Sequence, residues 1–286
     1  MAKKKSKNPD EMSFLDHLED LRWHLIRATL AVVIAGGCAF FAKDFIFDVL
    51  LFGPSKPDFF TYDILCRLTQ SFGMDDSLCF TEIPYTIQSR TMGGQFSAHV
   101  WTSVTAGFIV AFPYVLYEFW KFISPGMHAS ERKYSKIFIF VASILFFIGV
   151  LFGYYVVMPL SLNFLGNYQV SEIVLNEFDL ASYISLTRST VLASGLAFEL
   201  PIIIFLLTKV ELITPDALRK NRKIAIVIIL ALAAIITPPD VVSLIIVAIP
   251  LLILFELSII ISKFALKKEK TNQEIEKAKP EISDPK

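Results

Sequence analysis

The sequence predicts an all-α polytopic membrane protein with six transmembrane helices, and three observations carry that prediction. Hydrophobic residues make up 54% of the 286 positions, Phe alone contributing 26, and the mean hydropathy is +0.57. Several apolar runs reach the roughly 20 residues needed to cross about 30 Å of hydrocarbon. The basic residues are also segregated. Of 27 Lys and Arg, 22 lie in the N-terminus, the 121–136 loop, the 209–223 loop and the C-terminal tail. The opposite side has Lys43, Lys56, Arg67 and Arg90, with Arg188 in or near a span, against eleven acids. Loops rich in Lys and Arg stay cytoplasmic, so an even number of spans places both termini inside.

Hydropathy puts the spans at residues 25–41, 96–120, 137–160, 183–208, 224–236 and 241–262. The first run follows two dozen mostly polar residues and precedes no small-residue cleavage site, so it is expected to be retained as a span. Residues 224–236 give a helix of only about 20 Å at 1.5 Å per residue. It returns through the Pro-rich turn Thr237-Pro-Pro-Asp240. Such a hairpin thins the bilayer or leaves a concave outer face, unless the helix is short and nothing more. Residues 1–11 and 264–286 are charged, polar and interrupted by Pro, which predicts disorder on either side of a membrane domain at 12–263. Their lysines are expected to touch anionic lipid. The outer loop, about 48–95, is too small for its own core and is expected to cap the spans.

Cys66 and Cys79 fall in that loop, whereas Cys38 lies in the first span. In an oxidising compartment the loop pair can form a disulfide worth about 3 kcal/mol; two free thiols are the alternative. His99 is the nearest histidine, so a metal site lacks further ligands, and no metal or cofactor is expected.

Glu199 stands in the middle of an apolar run long enough to span. A carboxylate near a bilayer centre costs roughly 2.5–3.5 kcal/mol on insertion scales, so it faces a bundle interior, a water-filled cavity or a partner helix. Pro201 removes a backbone N–H and kinks the helix beside the acid. On an ideal helix Glu199 shares a face with Gly195, Leu192 and Arg188, and Gly195 leaves room for a partner helix or water. An internal hydrogen bond to Ser or Thr of a neighbouring span is the bland alternative. Before the first span, Phe14, Leu18, Leu21 and Leu25 recur at helical spacing, with Asp16, Glu19, Asp20 and Arg22 opposite. That pattern predicts an amphipathic helix at the cytoplasmic interface.

Read together, these segments resemble one family. Phe14-Leu-Asp-His-Leu-Glu-Asp-Leu-Arg22 is similar to the N-terminal signature of the TatC family, the multi-spanning subunit of the twin-arginine protein translocase. Phe119-Trp-Lys-Phe-Ile-Ser-Pro-Gly-Met-His-Ala-Ser-Glu-Arg-Lys133 resembles its first cytoplasmic loop. Gly195-Leu-Ala-Phe-Glu-Leu-Pro201 resembles its fourth span. Thr237-Pro-Pro-Asp240, followed by Ala248-Ile-Pro250 and Phe255-Glu256, resembles its last hairpin. The similarity covers nearly all of residues 13–263 in order.

The resemblance implies a cup-shaped six-helix bundle that binds the twin-arginine signal peptides of folded proteins, in the cytoplasmic membrane of a bacterium. Paired guanidiniums call for carboxylates able to accept bidentate hydrogen bonds. By resemblance these are Asp20 and Glu131, with Arg22 and Arg132 orienting them. Asp20 departs from the usual Glu, which shortens its reach. Each acid also has a plainer reading: Asp20 paired with His24, and Glu131 at a helix start. Glu199 matches the family's intramembrane acid and implies a polar contact to the single-span partners TatA and TatB, with self-association of the chain. Asp240 matches another family acid, with a helix-capping role as its alternative. Leu244 stands where members often carry Gln.

These features weigh against other classes. A proton-coupled small-solute transporter using Glu199 is the alternative, but no pair of interrupted helices stands in two matching halves. No hydrolase or zinc-protease motif is present, and His17, His24, His99 and His128 are scattered, which argues against an enzyme. Nothing points to nucleic acid.

Overall fold

The computed structural model describes residues 14–71, 85–124, 135–171, 173–174, 176–209 and 212–278. Helix α1 (Phe14–Phe41) is followed by a π-helical turn (Phe45–Leu51), a 3-10 turn (Gly53–Ser55) and α2 (Phe60–Ser71). Strand β1 (Thr86–Gln88) leads into α3 (Gly94–Ile123). Then come α4 (Ser135–Phe152), a second π-helical turn (Gly153–Val157), α5 (Met158–Asn167) and β2 (Glu177–Asp179). The chain continues through α6 (Leu180–Phe198), α7 (Leu200–Lys209), α8 (Pro215–Lys220), α9 (Arg222–Ile236) and α10 (Val241–Ala278).

Five stretches are long and apolar enough to cross a membrane: His17–Phe41, Gly94–Ile123, Ile137–Asn167, Leu180–Lys209 and Val241–Lys263. They match five of the runs expected from hydropathy. Helix α9, the remaining run, has 15 residues and is about 22 Å long. Large apolar side chains such as Val33, Phe140 and Val227 face outward on these helices, as lipid-facing surfaces require. The amphipathic segment and the first span are one continuous helix, because residues 14–35 contain neither Gly nor Pro to break it. Helix α10 likewise runs past 264 into the segment expected to be disordered, where residues 265–270 (Ala-Leu-Lys-Lys-Glu-Lys) are all strong helix formers.

Small residues set the helix contacts. Without a hydrophobic driving force between spans, close backbone approach supplies the packing energy. Helix α1 lies against α3 at Gly36 and Gly107, where a Cβ on Gly107 would stand 2.6 Å from the Gly36 Cα. Helix α4 meets α6 at Gly149, where an added Cβ would lie 2.6 Å from the Ser194 carbonyl oxygen. Gly195 is filled from within the chain: a Cβ there would lie 2.8 Å from the Phe146 ring and 2.9 Å from Val150. The space expected for a partner helix or water at Gly195 is therefore occupied by α4. A buried cluster including Phe198, Ile229, Val247, Leu251 and Phe255 joins α6, α9 and α10.

Among the described residues, the segment between the first two spans packs against the helix bundle. Strands β1 and β2 pair in parallel with Ile87 opposite Phe178, and Arg90 bridges to Glu177 at 2.9 Å. Tyrosines satisfy carbonyls that the irregular turns leave free. Tyr154 donates to Leu50 O at 2.7 Å, Tyr183 to Leu51 O at 2.6 Å, and Tyr62 to Pro54 O at 2.6 Å. Burial raises the Tyr62 phenol above its ordinary value, so it stays a donor across the physiological range.

Gly107→Ala is expected to lower unfolding free energy by about 1–3 kcal/mol, because the added methyl pushes two backbones apart. Gly37→Ala, with nothing within 4 Å of its added carbon, is the control and is expected to shift stability by less than about 0.5 kcal/mol. Unfolding titrations in mixed micelles measure both.

Candidate functional site

At the end of α3 near the 121–136 loop, an acid is buried that sequence reasoning did not single out. Glu118 is 2% exposed, and its Oε2 lies 2.5 Å from His24 Nδ1 on α1. Arg27 Nη1 stands 3.9 Å from the same oxygen. Helical geometry explains the meeting. His17, His24 and Ala28 recur on the α1 face that packs on α3, and His17 stacks on Phe122 with centroids 4.4 Å apart. A buried carboxylate needs such partners, since leaving it unpaired in a low dielectric is costly. The signal in the sequence was the one that marked Glu199: an acid within an apolar run, here residues 114–120.

Asp20 lies one turn before His24 on α1 and is exposed. The plain pairing of Asp20 with His24 is not formed, because the imidazole is engaged by Glu118. Among the described residues Asp20 and Arg22 have no ion-pair or hydrogen-bond partner, so this carboxylate is open to a cation from solution. Glu131 and Arg132, and with them the predicted grouping with Asp20, lie outside the described residues.

Glu199 sits at the junction of α6 and α7. Pro201 has no N–H to give to the Ala197 carbonyl, and the Glu199 N–H turns back to Ala197 and Leu196 instead. The side chain is 6% exposed, and Oε1 has no hydrogen-bond partner among the described residues. That oxygen therefore lacks the internal Ser or Thr bond of the bland alternative. Thr190 and Ser194 hydroxyls on α6 are likewise buried without partners. Asp240 takes the capping role: its Oδ2 accepts from Ser243 N at 2.7 Å at the start of α10. Its Oδ1 is buried and unbonded. Arg222 bridges to Glu256 at 2.8 Å, and Thr208 meets Ser262 at 3.0 Å, tying α7 and α9 to α10. Cys66 is half-buried on α2; Cys79 lies outside the described residues.

The order of these features along one helical scaffold matches known proteins. The family model described as Sec-independent protein translocase protein (TatC) matches residues 16–250. The chain belongs to the TatC family. It is a multi-pass membrane protein and a component of the Sec-independent protein translocase. The TatC protein of Blattabacterium sp. subsp. Periplaneta americana is 45% identical over 261 residues, covering 91% of this chain and 98% of that protein. The TatC of Aquifex aeolicus is 34% identical over 268 residues, 93% of this chain and all of that one. A crystal structure of a twin-arginine translocase receptor, TatC, superposes with a TM-score of 0.65 at 32% identity, covering 87% of this chain and 99% of that one. The comparisons lend no support to the solute-transporter alternative.

His24→Ala strands a buried carboxylate and is expected to destabilise the α1–α3 contact by about 1–3 kcal/mol. His24→Leu combined with Glu118→Leu removes both polar groups and is expected to recover most of that loss. A double-mutant cycle of unfolding free energies checks the coupling.

Proposed function

We propose that this chain is the signal-peptide receptor and assembly core of the twin-arginine export system. The observation that carries the proposal is the exposed Asp20 carboxylate, without a partner among the described residues, on a helix locked to α3 by the buried Glu118–His24 pair. A signal peptide presents two adjacent guanidiniums, and a rigidly held carboxylate binds a guanidinium in a fork that Lys cannot reproduce. Asp20 supplies one acceptor and Glu131 the second, with Arg22 and Arg132 orienting them. The six spans, α9 included, leave both termini in the cytoplasm of a bacterium, as the distribution of Lys and Arg supports. Folded cargo crosses with TatA, and with TatB where the cell has one, driven by the proton gradient. Glu199 and Asp240 offer those single-span partners polar contacts: each keeps a buried oxygen without a partner among the described residues. Copies of the chain self-associate in the complex. Cys66 pairs with Cys79 to close the outer loop.

Binding of a fluorescent signal peptide to the protein in nanodiscs tests the receptor role. Replacing Arg-Arg by Lys-Lys in the peptide is expected to weaken binding at least tenfold, as are Asp20→Ala and Glu131→Ala. Equal binding of both peptides, or wild-type affinity in both variants, overturns the assigned site. Thiol labelling of the unfolded protein before and after reduction reads the disulfide. One labelled cysteine rising to three is expected, and three without reduction rules the bridge out.

A further inference from the structure

Arg188 lies eight residues into α6, inside a membrane-spanning stretch. Its Nε is buried and makes no hydrogen bond, and no carboxylate among the described residues is within ion-pair distance of it. Its guanidinium stands 5.3 Å from the ring centroid of Trp101 on α3, a residue that is 57% exposed. A cation in hydrocarbon with only an aromatic face for company is incomplete. We propose that Arg188 and Trp101 bind the phosphate of a phospholipid headgroup, in the leaflet at the N-terminal end of α6.

Depth decides between a headgroup and a partner helix. The Leu180–Lys209 stretch has 30 residues, about 45 Å of helix, against about 30 Å of hydrocarbon. Shared between the ends, the excess puts the hydrocarbon boundary near Ser185, and Arg188 about 4.5 Å below it. Gly94–Ile123 is equally long, so the same boundary falls near His99, and Trp101 lies about 3 Å below it. The two side chains are therefore level, as their contact requires. Helical side chains lean toward the N-terminus, which carries the guanidinium back up to the headgroups. Trp favours this zone, and a guanidinium matches phosphate oxygens in a bidentate fork.

The site does structural work beyond its own contact. Glu199 follows Arg188 by eleven residues on the same helix, about 16 Å deeper. A phosphate held at Arg188 thus sets the depth at which Glu199 stands. The site is independent of the receptor reading, which supplies only the name of the leaflet as the outer one.

Trp101 reports its own lipid contact once Trp23 and Trp120 are replaced by Phe. Delipidated protein is titrated with phosphatidylglycerol brominated on its acyl chains, and with brominated diacylglycerol that lacks the phosphate. Saturable quenching by the phospholipid is expected, with affinity about tenfold weaker in Arg188→Gln and about tenfold weaker for the diacylglycerol. Equal affinity in wild type and Arg188→Gln, or equal quenching by both lipids, overturns the proposal. Displacement by millimolar inorganic phosphate assigns the site to a free anion and overturns the lipid. Native mass spectrometry of the protein with all three tryptophans gives the same comparison should the Phe replacements fail to fold. Wild-type protein is expected to retain one phospholipid that Arg188→Gln releases. Loss of that retained lipid only on adding TatA or TatB would identify a protein occupant and overturn the assignment. Arg-Arg peptide binding is expected to be unchanged in Arg188→Gln, so failure here and failure of the receptor site are separable.

Discussion

Hydrocarbon offers no hydrogen bonds, and that single constraint organises this protein. It forces the backbone into helices that satisfy themselves, and it makes each remaining polar atom a local problem requiring a local answer. The chain answers in different ways. Glu118 meets His24 in a short hydrogen bond and is approached by Arg27. The Thr208 and Ser262 hydroxyls meet each other. Glu199 keeps an oxygen without a partner among the described residues, beside a helix break that Pro201 enforces. Glu199 and Asp240 are the two carboxylates among the described residues that keep a buried oxygen unsatisfied.

The α1 segment that bears Asp20 inherits its rigidity from the α1–α3 pair. Gly36 and Gly107 bring the two backbones close near mid-membrane, and the Glu118–His24 bond closes the same interface further toward the 121–136 loop. Two contacts at different heights on one helix pair resist both sliding and rotation. Asp20 is thereby held at a fixed position despite standing on an otherwise exposed helical turn. Discrimination of guanidinium from ammonium depends on angular fit as much as charge, and a mobile carboxylate could not provide it.

Much of this was legible in the sequence, because the signals were local. Apolar runs located the five long spans though not their full extent, Pro201 marked the break beside Glu199, and Thr237-Pro-Pro-Asp240 marked the turn before the helix that Asp240 caps. What escaped notice was long-range or depended on the absence of a breaker. His24 and Glu118 are 94 residues apart, and no periodicity within either helix names its partner. Gly195 showed a gap in side-chain bulk without showing that Phe146 and Val150 fill it. The junction of amphipathic helix and span looked like a boundary because the face composition changes there. Backbone hydrogen bonding does not register that change and runs straight through.

The tyrosine bonds of the outer cap impose an order on biogenesis. The carbonyls of Leu50 and Leu51 emerge early in synthesis, but their donors Tyr154 and Tyr183 arrive 104 and 132 residues later. A ribosome adding on the order of 5–20 residues per second leaves these acceptors waiting for many seconds. During that interval the segment between the first two spans is tethered only by those spans and exposed to water. It can close only after the segment bearing Tyr183 has reached the membrane. The cap is therefore a late checkpoint of insertion, one that a chain halted after its second or third span cannot pass.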